Sequence, residues 1–118
     1  INKLFFSIKR DSAGIPAQGW HRASASKPII SNQWYQLIGT WDGYSLRSYV
    51  NGILENQNET VPDGPIDKVL GGNLQIGRGW SGHGGAYFSG YMDDIRIYNR
   101  GLSAEEVKAL YDFEKVKE

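Results

Sequence analysis

The sequence predicts an all-β domain, a sandwich or barrel of antiparallel strands, followed by one short helix. Three observations predict it. Before Gly101 the chain falls into short runs of alternating apolar and polar residues, separated by clusters of Gly, Asn, Asp, Ser and Pro. Asp42-Gly43 and Asn51-Gly52 divide three of these runs at the spacing of consecutive hairpins. Ser103 is followed three residues later by Glu106, a capping box in which each side chain satisfies an otherwise orphaned backbone N–H of the other residue.

The elements follow in chain order. Leu4, Phe6 and Ile8 share one face of a first strand, with Phe5, Ser7 and Lys9 on the other. Asp11 to Pro16 reads as a turn or loop. A second strand runs from about Trp20 to Ala25, and Lys27-Pro28 stops it because proline cannot donate to a central ladder. Gln33 to Trp41, Leu46 to Val50, and a return strand opening with Ile53-Leu54 form a meander around the two glycine turns, where positive φ is needed. Glu55 to Gly72 is polar and punctuated by Pro62, Asp63-Gly64-Pro65 and Gly71-Gly72, so it is expected to be mostly loop. Leu74 to Gly77 and Tyr91 to Tyr98 read as two further strands, with the glycine-rich stretch Arg78 to Tyr87 between them as a surface loop. In the helix, Leu102 and Val107 supply a hydrophobic staple. Val107, Leu110 and Tyr111 share the face that must dock, while Glu105, Lys108, Asp112 and Lys115 stay in water.

Composition narrows the function. The 118 residues carry 13 basic and 13 acidic side chains, so no basic footprint for nucleic acid or an anionic membrane is present. That length suits one domain, which buries roughly two-thirds of its unfolded surface. With no cysteine there is no disulfide framework, thiolate nucleophile or Cys-ligated metal. Apolar stretches are two or three residues long, too short for a membrane span or the apolar core of a signal peptide. The chain begins with Ile rather than Met, as a piece of a longer polypeptide would.

The motifs Asn32-Gln33-Trp34-Tyr35, Thr40-Trp41-Asp42-Gly43, Tyr49-Val50-Asn51-Gly52, Leu74-Gln75-Ile76-Gly77 and the block from Phe88 to Val107, with its Gly90-Tyr91-Met92-Asp93-Asp94-Ile95-Arg96-Ile97-Tyr98 core, recur here in one order. Together they closely resemble the laminin-G-like, concanavalin A-like lectin/glucanase family of jelly rolls, over about Trp34 to Tyr111. The resemblance implies an antiparallel jelly-roll sandwich with one short C-terminal helix. It implies one domain over residues 1–118, corresponding to the C-terminal two-thirds of a family domain, and an extracellular or cell-surface setting. It also implies that Trp34 and Trp41 are packed. Family strands that precede the position of Leu4 would be missing, leaving sheet edges open to self-association or to strand complementation by another segment.

Catalysis is not expected. Glycoside hydrolysis needs two carboxylates flanking one bond, and the Glu-x-Asp-x-x-Glu run of the glucanase relatives does not occur. Asp93 and Asp94 are adjacent and so would point to opposite faces of a strand. Glu55 and Glu59 read as solvated loop charges. By resemblance Asp93 is the candidate ligand for calcium, the one cofactor the resemblance offers, but calcium wants six to eight oxygens and the family's N-terminal contributors would be missing here. His21 and His83 lack the neighbours for a transition-metal site. Asn58-Glu59-Thr60 is a glycosylation sequon.

Sugar recognition fits better, because an aromatic face with a polar rim matches the amphipathic surface of a pyranose. Trp80, His83 and Tyr87 in the glycine-rich loop, with Arg78 beside them, form the candidate ligand site, to which Trp20, His21 and Arg22 could add. The expected function is a non-catalytic, lectin-like module that binds a glycan. The alternative is a module or spacer that binds a surface protein. No nucleic acid or membrane insertion is expected.

Overall fold

Alternation and turn chemistry place the strands in this computed structural model, which describes residues 3–9, 20–59, 74–78 and 87–115 and leaves the side chains of Lys9 and Trp20 undescribed. Contacts divide the chain into two units, Ile1–Asp67 with Tyr98–Glu118, and Lys68–Ile97. The first holds β1 (Lys3–Lys9), β2 (Trp20–Pro28), β3 (Leu37–Trp41), β4 (Leu46–Val50), β5 (Ile53–Asn58) and α1 (Ala104–Lys115). β1 and β2 form a two-stranded antiparallel sheet, and β3, β4 and β5 form the meander, in that order. Pro28 ends β2 rather than following it, paired with Lys3 at a position where the missing N–H costs no ladder bond.

The two sheets pack face to face, with β2 over β4 and β5 and β1 over β3 and β4. Ile8, Ala23 and Leu46 are buried between them, with Phe6 and Trp41 packed against the cluster. β4 is buried on both sides because it is the middle strand. Leu46 and Ser48 face the β1–β2 sheet, while Tyr49 on the opposite face joins Leu102, Val107, Ile38 and Leu110 beneath the helix. Phe6 lies directly on Gly39, where a Cβ would fall inside its ring.

The turns hold as their residues require. Asn51 and Gly52 both have positive φ, 51° and 78°, the type I′ geometry of a two-residue hairpin. Asn51 also accepts the Gln36 N–H on Oδ1 and donates its own N–H to the Gln36 carbonyl, each at 2.9 Å. Tyr111 packs on Gly52, so any side chain there would be both strained and crowded. Between β3 and β4 the Asp42 carboxylate accepts the Tyr44 and Ser45 N–H groups at 2.9 and 2.7 Å and pairs with Arg47 at 2.8 Å. Partial burial works against its charge, but hydrogen bonds from Arg47, Ser45 and Tyr44 outweigh it and bring the pKa from 3.8 to about 2.

β5 extends into residues expected to be loop, and its polar side chains explain why. Asn58 Nδ2 donates to the Arg22 carbonyl at 3.0 Å and Asn56 Nδ2 to the Ser24 carbonyl at 2.8 Å. Glu55 accepts both the N–H and the hydroxyl of Ser26, at 3.2 and 2.6 Å, and these bonds hold its pKa below the usual carboxylate value. The pairing of β4 with β5 slips by one residue at this point: Ser48 faces Asn56 and Tyr49 faces Leu54, so Glu55 is extra. A bulge re-aims the side chain it carries. Here it lets Glu55, Asn56 and Asn58 all reach β2, whose outer backbone edge they occupy in place of another strand.

In the helix the capping box is formed, with Ser103 Oγ accepting the Glu106 N–H and Glu106 Oε1 accepting the Ser103 N–H, each at 3.1 Å. Arg100 holds the same Glu106 carboxylate with both guanidinium arms. Leu102 and Val107 are buried together, the staple the sequence predicts.

Three further expectations are corrected. Trp34 is 58% exposed rather than packed, because it precedes β3 in an irregular stretch that no described element covers. Neither Leu74 to Gly77 nor Tyr91 to Tyr98 forms a strand. Gly77 has a φ of 78° and Asp94 a φ of 51°, which interrupt the alternation, and among the described residues neither segment has a neighbouring strand to complete a ladder.

Three measurements test this account. Ser103→Ala removes half of the capping box and is expected to lower stability by about 0.5 to 2 kcal/mol in denaturant unfolding. Gly39→Ala overpacks the Phe6 contact and is expected to cost about 1 to 3 kcal/mol, with Phe6→Leu in the same chain restoring part of it. The Asp42 pKa is lowered on folding, so its stabilisation is complete above 3.8 and is lost as pH falls from 3.8 to about 2. Asp42→Asn should therefore melt below the parent at neutral pH, with the gap closing across that window.

Candidate functional site

Of the expected site residues, Arg78, Tyr87 and Asp93 are described in the second unit. Arg78 and Tyr87 face each other in an isolated antiparallel bridge, and the Phe88 N–H donates to the Gly77 carbonyl at 2.8 Å. Arg78 and Tyr87 flank residues 79–86, which lie outside the described residues. The Tyr87 ring is 69% exposed, and the Arg78 guanidinium lies 5.7 Å from its centroid. An aromatic face edged by a cation thus stands in solvent. Trp80 and His83 lie outside the described residues.

Trp20 belongs to the first unit, where it opens β2 opposite Lys9; its side chain is not described. Its neighbours divide between the two faces of the strand. His21 lies among the inward positions with Nε2 buried and without a partner among the described residues. Arg22 is exposed on the outer face, its guanidinium 3.9 Å above the centroid of the Phe5 ring. Phe5 was no candidate from sequence alone. Its signal was present in the alternation of β1, which puts Phe5 and Ser7 on the outer face, and the register then sets Ser7 beside Arg22 and Phe5 beside Ser24.

Asp93, the calcium candidate, spends one carboxylate oxygen on the backbone: Oδ1 accepts the Asp94 N–H at 2.8 Å. Asp94 has its own neighbour in Arg96, at 4.0 Å. No group of three or more Asp, Glu or His side chains able to hold a cation occurs among the described residues. Calcium wants six to eight oxygens, and the described residues do not assemble such a set around Asp93. No described helix is long and apolar enough to cross a membrane.

The fold has a solved counterpart. A 2.1 Å crystal structure of residues 221–444 of an S-layer domain-containing protein from Clostridium thermocellum is similar, with a TM-score of 0.59 and 22% sequence identity. The match covers 92% of this chain and 51% of that one, so the chain spans about half the length of its counterpart. At that identity the likeness speaks for the fold. The sandwich, the meander and the capped helix agree with a family match that extends over residues 2–108, a laminin-G model described as the concanavalin A-like lectin/glucanases superfamily. The chain therefore belongs to the concanavalin A-like lectin/glucanases superfamily, in its laminin-G form.

Proposed function

We propose that the chain is a non-catalytic recognition module of a secreted or cell-surface protein, and that it binds a glycan at the surface carried by Arg78 and Tyr87. The observation that carries this reading is the exposed Tyr87 ring with the Arg78 guanidinium beside it, at the base of a segment whose sequence adds Trp80 and His83. A ring face takes up the C–H side of a pyranose, and a guanidinium supplies donors to its hydroxyls or carboxylates. The surface setting draws support from the S-layer domain-containing counterpart.

Lack of catalysis draws support from the acids themselves. Asp93 is engaged with backbone and Asp94 lies beside Arg96, while Glu55 is bonded to Ser26 and depressed in pKa rather than raised as a general acid would be. Arg78 and Tyr87 would bind and orient; no bond is broken.

A glycan-array screen, run with and without calcium, tests the reading. Binding is expected, with Tyr87→Ala and Arg78→Ala each weakening it by about tenfold at an unchanged melting temperature, and Tyr87→Phe retaining most of it. Absence of any bound glycan, or full binding by Tyr87→Ala, would overturn the proposal. A signal present only with calcium would assign Asp93 a role in it.

A further inference from the structure

The two long sides of the sandwich are unlike. On one, Glu55, Asn56 and Asn58 occupy the outer edge of β2. On the other, β1 and β3 lie one above the other, and neither has a neighbouring strand on its outer side among the described residues. Every second residue of β1 thus turns its backbone N–H and C=O away from β2, with no ladder to enter among the described residues.

Between these two edges the inter-sheet core is unfilled. A cleft of about 190 Å³ lies among Leu4, Phe6, Ala25, Leu37, Gly39 and Ser48. Its walls are mainly apolar, and the Ser48 hydroxyl among them is buried and without a hydrogen-bond partner among the described residues. Leu37, an inward-facing residue by its pairing with Val50, remains 51% exposed at the mouth. Small inward residues on three strands, Ala25, Gly39 and Ser48, line this space, with the Phe6 ring resting on Gly39.

The charges that β1 and β2 themselves carry are all positive, while Glu55 of β5 lies beside Ser26 and Lys27 at the other edge of β2. The charged residues of β1 and β2 are Lys3, Lys9, Arg22 and Lys27, with no Asp or Glu among them. Neither Lys3 nor Arg22 has an acidic partner among the described residues, and Arg22 instead rests on the Phe5 ring, which leaves the in-plane donors of its guanidinium available.

We infer that this open side takes up an extended segment of a separate polypeptide, alternating apolar and acidic residues. The segment adds as a strand to the free edge of β1, its apolar side chains enter the cleft over Ser48, and its acidic side chains face Lys3 and Arg22. Backbone pairing supplies affinity and the alternating pockets supply specificity, as in other strand-addition complexes. A second copy of this chain suits the edge less well, since antiparallel pairing of two β1 strands centred on Phe6 sets lysine against lysine at both ends. The inference does not depend on the glycan reading.

Fluorescence anisotropy with labelled synthetic peptides of seven residues, the length of β1, tests the inference. The probe alternates Val and Glu, and the controls are the same composition scrambled, the same sequence N-methylated at alternate backbone nitrogens, and a Val–Lys version. The Val–Glu peptide is expected to bind saturably, more weakly as salt is added, and the three controls to fail. Leu37→Glu at the mouth and Arg22→Glu on the outer face, both at exposed positions, are each expected to weaken it by about tenfold with an unchanged circular-dichroism melt. No binding, equal binding of the scrambled peptide, or a Leu37→Glu variant that binds normally would overturn the inference. Concentration-dependent dimerisation of the peptide-free chain that Leu37→Glu abolishes would also overturn it, by making a second copy the occupant.

Discussion

The arrangement of the first unit rests on a seam of side chains bonded to backbone. Asn58, Asn56 and Glu55 meet the outer edge of β2 at Arg22, Ser24 and Ser26 in turn. These bonds set β2 above β5, which in turn sets β1 above β3 and β4 and stacks Phe6 on Gly39. An unsatisfied strand edge is costly if covered and adhesive if exposed. Three polar side chains resolve that conflict on one side of the sandwich and so determine which side stays open. The bulge at Glu55 is part of the same device, because without the slipped register Glu55 and Asn56 would point to opposite faces.

Much of this was legible in the sequence, and what was not has a physical cause. Asp42-Gly43, Asn51-Gly52 and Ser103 with Glu106 act through bonds between residues a few positions apart, so local chemistry was enough to locate the meander and the helix. β5 was hidden because its residues after Leu54 are polar, a pattern that reads as loop unless the distant carbonyls of Arg22 and Ser24 are known to await them. Trp34 misled in the opposite sense, since a large ring suggests burial but only a covering element can provide it. The segments around Ile76 and Ile95 have the composition of strands; pairing is a property of the neighbour as much as of the segment, and no neighbour stands beside them among the described residues.

The candidate site was legible as chemistry and not as geometry. Arg78 and Tyr87 could be named from their place around a glycine-rich stretch, yet their meeting across an isolated bridge required the fold. Arg22 was noticed for its charge, whereas its position above Phe5 follows from the register of β1 with β2. Both stacks join an arginine to an exposed ring on antiparallel neighbours. The two surfaces differ in their setting: Arg78 and Tyr87 flank a glycine-rich stretch of sequence, whereas Arg22 and Phe5 lie beside a cleft and a strand edge without a neighbouring strand among the described residues. The first is the surface proposed for a glycan and the second the one proposed for an extended chain.

The seam also orders the events of folding. Its three contacts join residues 29, 32 and 36 positions apart, whereas Arg47 and Gln57 within the meander are only 10 apart. Closing a longer loop loses more chain entropy before any contact repays it. The meander is thus the early product, and docking of the β1–β2 hairpin is the late one. Until that docking, the inner face of the meander, with Leu46, Trp41 and Leu37, is in water. A nascent chain therefore carries an apolar surface that only the last step covers, and at the Leu37 end even that step leaves it half done.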